Sequence, residues 1–98
     1  MPSYVMLFRF TEQGVRNIKD SPGRVEAAKK ICRDLGGEVK HFYGLMGSYD
    51  TLFIMEAPSD EAAVKMAAAI SIQGNVRTET LRAFTETEYR ELLSALPS

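Results

Sequence analysis

Tyr49 and Asp50 stand side by side just after Gly47 and Ser48. A phenol and a carboxylate at the exit of a hairpin can act as acid and base, or grip a polar substrate. The structural use of the same pair is a turn, with Asp50 accepting local backbone N–H groups and Tyr49 packed on the sheet. His41 is the only histidine. An imidazole titrates near neutrality and can shuttle protons or serve as a single axial haem ligand. A stable zinc or iron centre needs three or more ligands, and the sequence sets no second and third beside His41. No metal and no cofactor are expected. A third group is the row Arg77, Thr78, Glu79, Thr80 and Arg82. Cross-strand salt bridges and threonine pairs are its ordinary use. If Thr78, Thr80 and Arg82 look into an apolar space, they have the character of a small-molecule pocket, with Arg82 placed to pair a carboxylate.

Bulk composition narrows the classes that this chemistry could serve. Ninety-eight residues fit one domain, and 45% hydrophobic with 26% charged residues is ordinary globular material. Twelve basic against 13 acidic residues leave a net charge of -1, without the clustered basic excess of a nucleic-acid binder. One cysteine, Cys32, allows no internal disulfide. No run approaches the length of a membrane span, and no signal-like segment opens the chain. A cytoplasmic protein is expected, with no nucleic-acid or membrane partner.

The elements that must position these residues read as β-α-β-β-α-β plus a last helix. Tyr4 to Phe10 is rich in aromatic and β-branched residues and reads as a strand. Thr11 to Asp20 is a polar connection with one helical turn over Glu12 to Asn17. Ser21-Pro22 opens a helix whose stripe Val25, Ala28, Cys32 and Leu35 recurs at spacings of three and four, closed by Gly36-Gly37. Glu38 to Met46 and Tyr49 to Ala57 read as strands joined tightly at Gly47-Ser48. Ser59 caps a helix bearing Ala63, Met66, Ala67 and Ile70. Val76 to Phe84 is the fourth strand, and Thr85 with Glu88 forms a capping box for a helix carrying Tyr89, Leu92, Leu93 and Leu96. This is the α+β, ferredoxin-like order, with a four-stranded antiparallel sheet and two helices on one face.

Two helices cover one face only, yet Tyr4 to Phe10 and Tyr49 to Ala57 are apolar on both alternating sets. A bare face of this kind is unusual on a monomer, and a second copy is its simplest cover. A homodimer, or a higher multiple of dimers, follows. The aliphatic set Val5, Leu7, Leu52, Ile54, Leu81 and Ala83 is expected under the helices. Tyr4, Met6, Phe8, Phe53 and Met55 are then expected between sheets, with Thr78, Thr80 and Arg82 beside them. Cys32, on a helical apolar stripe, reads as a small core residue. Arg9 is expected to pair with a neighbouring acid.

The segments YVMLFRFT at 4–11, GSYD at 47–50 and NVRTETLRAF at 75–84 resemble the GYD domain family. The resemblance runs over nearly the whole chain, with Ser48 standing between the glycine and tyrosine of the signature. It implies a single domain over 1–98 that forms a dimeric α+β barrel in a family of uncharacterised function. Relatives of that fold include cofactor-independent monooxygenases, haem-degrading enzymes, lactone isomerases and ligand-sensing regulator domains. Three functions are therefore weighed. The first is a binder of a small apolar or aromatic ligand, using Tyr49, Thr78, Thr80 and Arg82. The second is a cofactor-free oxygenase or isomerase, with Asp50 or His41 as base and Tyr49 beside them. The third is a purely structural self-association module.

Overall fold

A computed structural model describes all residues 1–98. Its elements are β1 (Ser3–Phe10), α1 (Glu12–Arg16), a 3-10 turn over Ile18–Asp20, α2 (Ser21–Asp34), β2 (Glu38–Gly44), β3 (Thr51–Glu56), α3 (Asp60–Ser71), β4 (Val76–Ala83) and α4 (Glu86–Ser94). The strands form one antiparallel sheet in the order β2-β3-β1-β4, so the ferredoxin-like arrangement expected from the sequence is present. β1 and β3 are central. β2, which carries His41, and β4, which carries the Arg-Thr row, are the two edges.

Local chemistry explains most boundaries. Thr11 accepts from the Gly14 N–H and starts α1. Gly14 packs so close to the Asn75 carbonyl that an added Cβ would sit 2.1 Å from that oxygen, which ties α1 to the turn before β4. Ser59 accepts from the Ala62 N–H to open α3, and both halves of the Thr85–Glu88 capping box are made. α2 begins one residue earlier than its proline suggests, since Ser21 is already helical and Asp20 occupies the cap position without a side-chain bond. The β2–β3 connection is longer than a tight hairpin: Leu45 to Asp50 form an open loop. Gly47 takes a φ of 117° there, which glycine adopts without strain.

The core inverts the expected face assignment. Tyr4, Met6, Phe8, Phe53 and Met55 are the residues buried between sheet and helices, together with Ala28, Cys32, Ala63, Met66 and Ile70. Val5, Leu7, Leu52 and Ile54 pair with one another on the opposite face, with Leu81 beside them. The physical reason lies in the helices. They offer the sheet mainly small residues at Ala28, Cys32, Ala63 and Ala67, so the strands must supply the bulky, adaptable side chains that fill the layer. Thr78, Thr80 and Arg82 pair with Phe8, Met6 and Tyr4, so they too lie on the helix side and not in a space between sheets.

α4 stands apart from this body. No other element packs substantially against it. The chain measures 53 × 30 × 18 Å, and its radius of gyration of 14.9 Å exceeds the value of about 13 Å for a compact domain of this length. No helix is long and apolar enough to cross a membrane.

Candidate functional site

The open face of the sheet holds an aliphatic centre. Val5, Leu7, Leu52 and Ile54 form its middle, with Leu81 and Ala83 on the β4 side and His41 and Tyr43 on the β2 side. Leu81 is 45% exposed and Tyr43 53% exposed at its flanks, and the central Val5, Leu7, Leu52 and Ile54 are half-buried. The His41 and Tyr43 rings stack at 6.2 Å on the edge strand. The sequence places the large aromatic and methionine set on this surface, and the structure gives it the aliphatic set instead.

Tyr49 reaches this face from the loop. Its hydroxyl donates to Glu79 Oε1 at 2.7 Å, and Arg9 lies over its ring at 4.9 Å. The bond to Glu79 is the main reason that the phenol's pKa is raised. Arg9 also donates through Nε to the Ser48 carbonyl. Its partners are therefore a ring and a carbonyl, in place of the acid expected from sequence. The result is a polar rim on one side of the aliphatic centre.

Asp50 does different work. Its Oδ2 accepts the Phe10 N–H at 2.8 Å, its own N–H donates to the Phe8 carbonyl, and its carbonyl accepts from Leu45. The carboxylate thus continues the β1 pairing just before β3 begins and holds the loop against it. Charge on an acceptor of this kind strengthens the bond. Neither Asp50 nor His41 lines either of the two main cavities.

On the helix side, Thr78, Thr80 and Arg82 are spread along β4 and do not converge. The Thr78 hydroxyl lies 3.4 Å from that of Ser71, in a broad polar depression shared with Thr11 and Arg77. The Thr80 hydroxyl oxygen is buried without a partner. Arg82 stacks over Phe84 at 4.4 Å and Tyr4 at 5.7 Å, and donates to the Ser3 and Ala83 carbonyls. Buried Tyr4 donates to Asp60 Oδ1 at 2.5 Å, tying the sheet to the start of α3. Desolvation first and this bond second raise its pKa. Tyr49, on the other face, is separated from all of these by the sheet itself.

No three His, Cys, Asp or Glu side chains come together in a metal-holding group. Cys32 is fully buried, and desolvation raises its thiol to about 11. Sequence reasoning passed over the space beneath α2. There a cavity of about 50 Å³ is lined by Phe8, Phe42, Phe53, Val25 and Ile70, with Arg24 also on its wall. Arg24 stands in no motif and beside no residue that marks it in the sequence, and its place at this cavity emerges only from its contacts.

The GYD domain family model matches residues 4–93. The chain belongs to the GYD domain family. A relative from Thermus thermophilus, named "Glutamine synthetase and cystathionine beta-lyase binding protein", is 29% identical over 84 residues, 85% of this chain and 88% of that protein. Two solved structures share the fold. One is the leucine response regulatory protein of Mycobacterium tuberculosis, with a TM-score of 0.65, 18% identity and 86% of this chain covered. This GYD chain spans about half of that regulator, 51% of its length. The other is a protein of Thermus thermophilus with a TM-score of 0.55 and 24% identity, covering 87% of this chain and 95% of its own.

Proposed function

We propose that this GYD protein is a self-associating, protein-binding module, and that its open sheet face is the surface through which it works. One observation carries the reading. Val5, Leu7, Leu52, Ile54 and Leu81 make a continuous aliphatic surface on which no residue is buried, in contrast to the helix side. A face of this character gains about 25 cal/mol for each Å² of apolar surface removed from water. A second copy, related by a two-fold axis, offers a matching surface, which gives the dimeric barrel. α4 extends the argument, since Tyr89, Leu92 and Leu93 are exposed on this helix, against which no other element packs substantially, and Leu96 is exposed just beyond its end. The single thiol suits the cytoplasm.

Protein binding beyond the chain itself is supported by the relative named for binding two enzymes. Glutamine synthetase and cystathionine β-lyase from the same organism as this chain are the first partners to try. We assign Asp50 to the architecture of β1 and its loop, and place cofactor-free oxygenase or isomerase chemistry second, because neither Asp50 nor His41 lines a main cavity. Sedimentation of the purified protein at micromolar concentration tests the reading. A dimer or its multiple is expected, and Ile54→Asp should return it to a folded monomer. A wild-type monomer overturns it.

A further inference from the structure

We propose that the cleft beneath α2 is a binding site for a short-chain monocarboxylate, with the alkyl tail in the cavity and the carboxylate at Arg24. This site is on the helix side of the sheet and is independent of self-association through the open face.

The tail follows from size and lining. The cavity holds about 50 Å³. A water-sized group needs roughly 10–15 Å³ on this measure, so there is room for about three to five such groups. Phe8, Phe42, Phe53, Val25 and Ile70 make the wall apolar. The cleft is open on one side, with Thr51, Gln73 and Asn75 also on its wall, and its apolar part favours a hydrocarbon occupant.

The head group follows from charge. Arg24 lines the same cleft, and its guanidinium has no carboxylate partner in any ion pair of the chain. Two of its N–H groups donate to backbone carbonyls, at 2.7 Å to Asn17 and 3.2 Å to Gly14, and the group lies 5.9 Å from the Phe10 ring centre. Those bonds fix the guanidinium in place. Five donors are available to an arginine, so three remain for an oxyanion. The start of α2 adds to the field. Ser21 lines the cleft, no side chain caps this helix, and its first turn carries no acid. α1, α3 and α4 each have acidic residues there to balance the helix dipole. Asp20 sits at the α2 cap position without bonding the turn.

The probe is 3-methylbutanoate, whose four-carbon tail matches the cavity, set against 3-methylbutanamide, which has the same shape and no charge. Titration followed by two-dimensional NMR of the ¹⁵N-labelled protein should show saturable shifts at Phe8, Ala28, Phe42 and Ile70 with the acid. The amide should bind about tenfold more weakly or worse, the usual weight of a charge-assisted bond. Arg24→Gln should reduce the acid to the level of the amide. Ala27→Leu, an exposed change at the rim of the cleft, should weaken both. The proposal fails if the acid does not saturate, if acid and amide bind alike, or if Ala27→Leu leaves the acid unaffected. Should Arg24→Gln not fold, the comparison of acid with amide on the unaltered protein still decides the matter.

Discussion

The two faces of this sheet carry apolar residues of opposite kinds. The helix side presents Tyr4, Met6, Phe8, Phe53 and Met55, all buried. The other side presents Val5, Leu7, Leu52, Ile54 and Leu81, of which none is. Large, flexible side chains fill the uneven space left beneath small helix residues, where Phe8 and Phe53 meet edge to face at 5.0 Å. Aliphatic residues on the other side make a smoother surface, suited to another sheet. Both faces are hydrophobic, but only one is completed within the chain. The comparison separates residues that hold the fold from residues available for assembly.

Substitutions on the two faces should therefore fail in different ways. The largest effect is expected from Phe53→Ala, which leaves a hole in the closed layer and should cost about 3–5 kcal/mol in urea unfolding. Ile54→Asp on the adjacent position should leave the monomer folded and weaken self-association by about a hundredfold or more, since a dimer would bury an unpaired charge. If both variants lose stability alike and neither changes assembly, the distinction between faces is lost. Asp50→Asn is intermediate. It keeps an acceptor for the Phe10 N–H but removes its charge, and should cost about 1 kcal/mol in the same unfolding measurement. Loss of assembly with no loss of stability would move Asp50 from the fold to the interface. Tyr49→Phe removes the bond to Glu79 at the exposed rim and should change stability by less than about 1 kcal/mol.

The buried thiol sharpens the comparison through pH. Burial holds Cys32 up at about 11, above its ordinary 9.0. The unfolded chain therefore releases this proton first as pH rises. The stability due to the protonated thiol is complete below about pH 9 and lost progressively toward the folded value. Thermal melts of wild type and Cys32→Ala across this alkaline range should diverge in slope. Parallel curves would mean that the helix-side layer is open to water. Glu88 works in the other direction. Its bond to the Thr85 backbone lowers its pKa, so its support for α4 is present above the ordinary carboxylate range and lost as pH falls through the lowered value. Circular dichroism in mild acid should show this as fraying of α4.

Much of the architecture was legible because its signals are local. Proline and glycine punctuation, the Ser59 cap and the Thr85–Glu88 box mark helix ends within a few residues. Alternation on β1 and β3 also revealed that two faces of the sheet are apolar. It could not say which set turns inward, since that depends on volumes contributed by helices distant in sequence. The small residues Ala28, Cys32, Ala63 and Ala67 held the answer, but only when weighed against Phe53 and Met55. The polar sites were less legible for the same reason. Tyr49 and Thr78 both lie within the segments that carry the family resemblance, yet the sheet separates Tyr49 from the Thr78–Arg82 row. Arg24 belongs to no motif, and its isolation from carboxylates emerges only from the fold.

Sedimentation velocity on the wild-type protein and Ile54→Asp, side by side at micromolar concentration, tests the central claim most directly. A dimer or larger even assembly for the wild type, with a folded monomer for the variant, is the predicted result. A wild-type monomer, or a variant that assembles as the wild type does, would contradict the assignment of the open face.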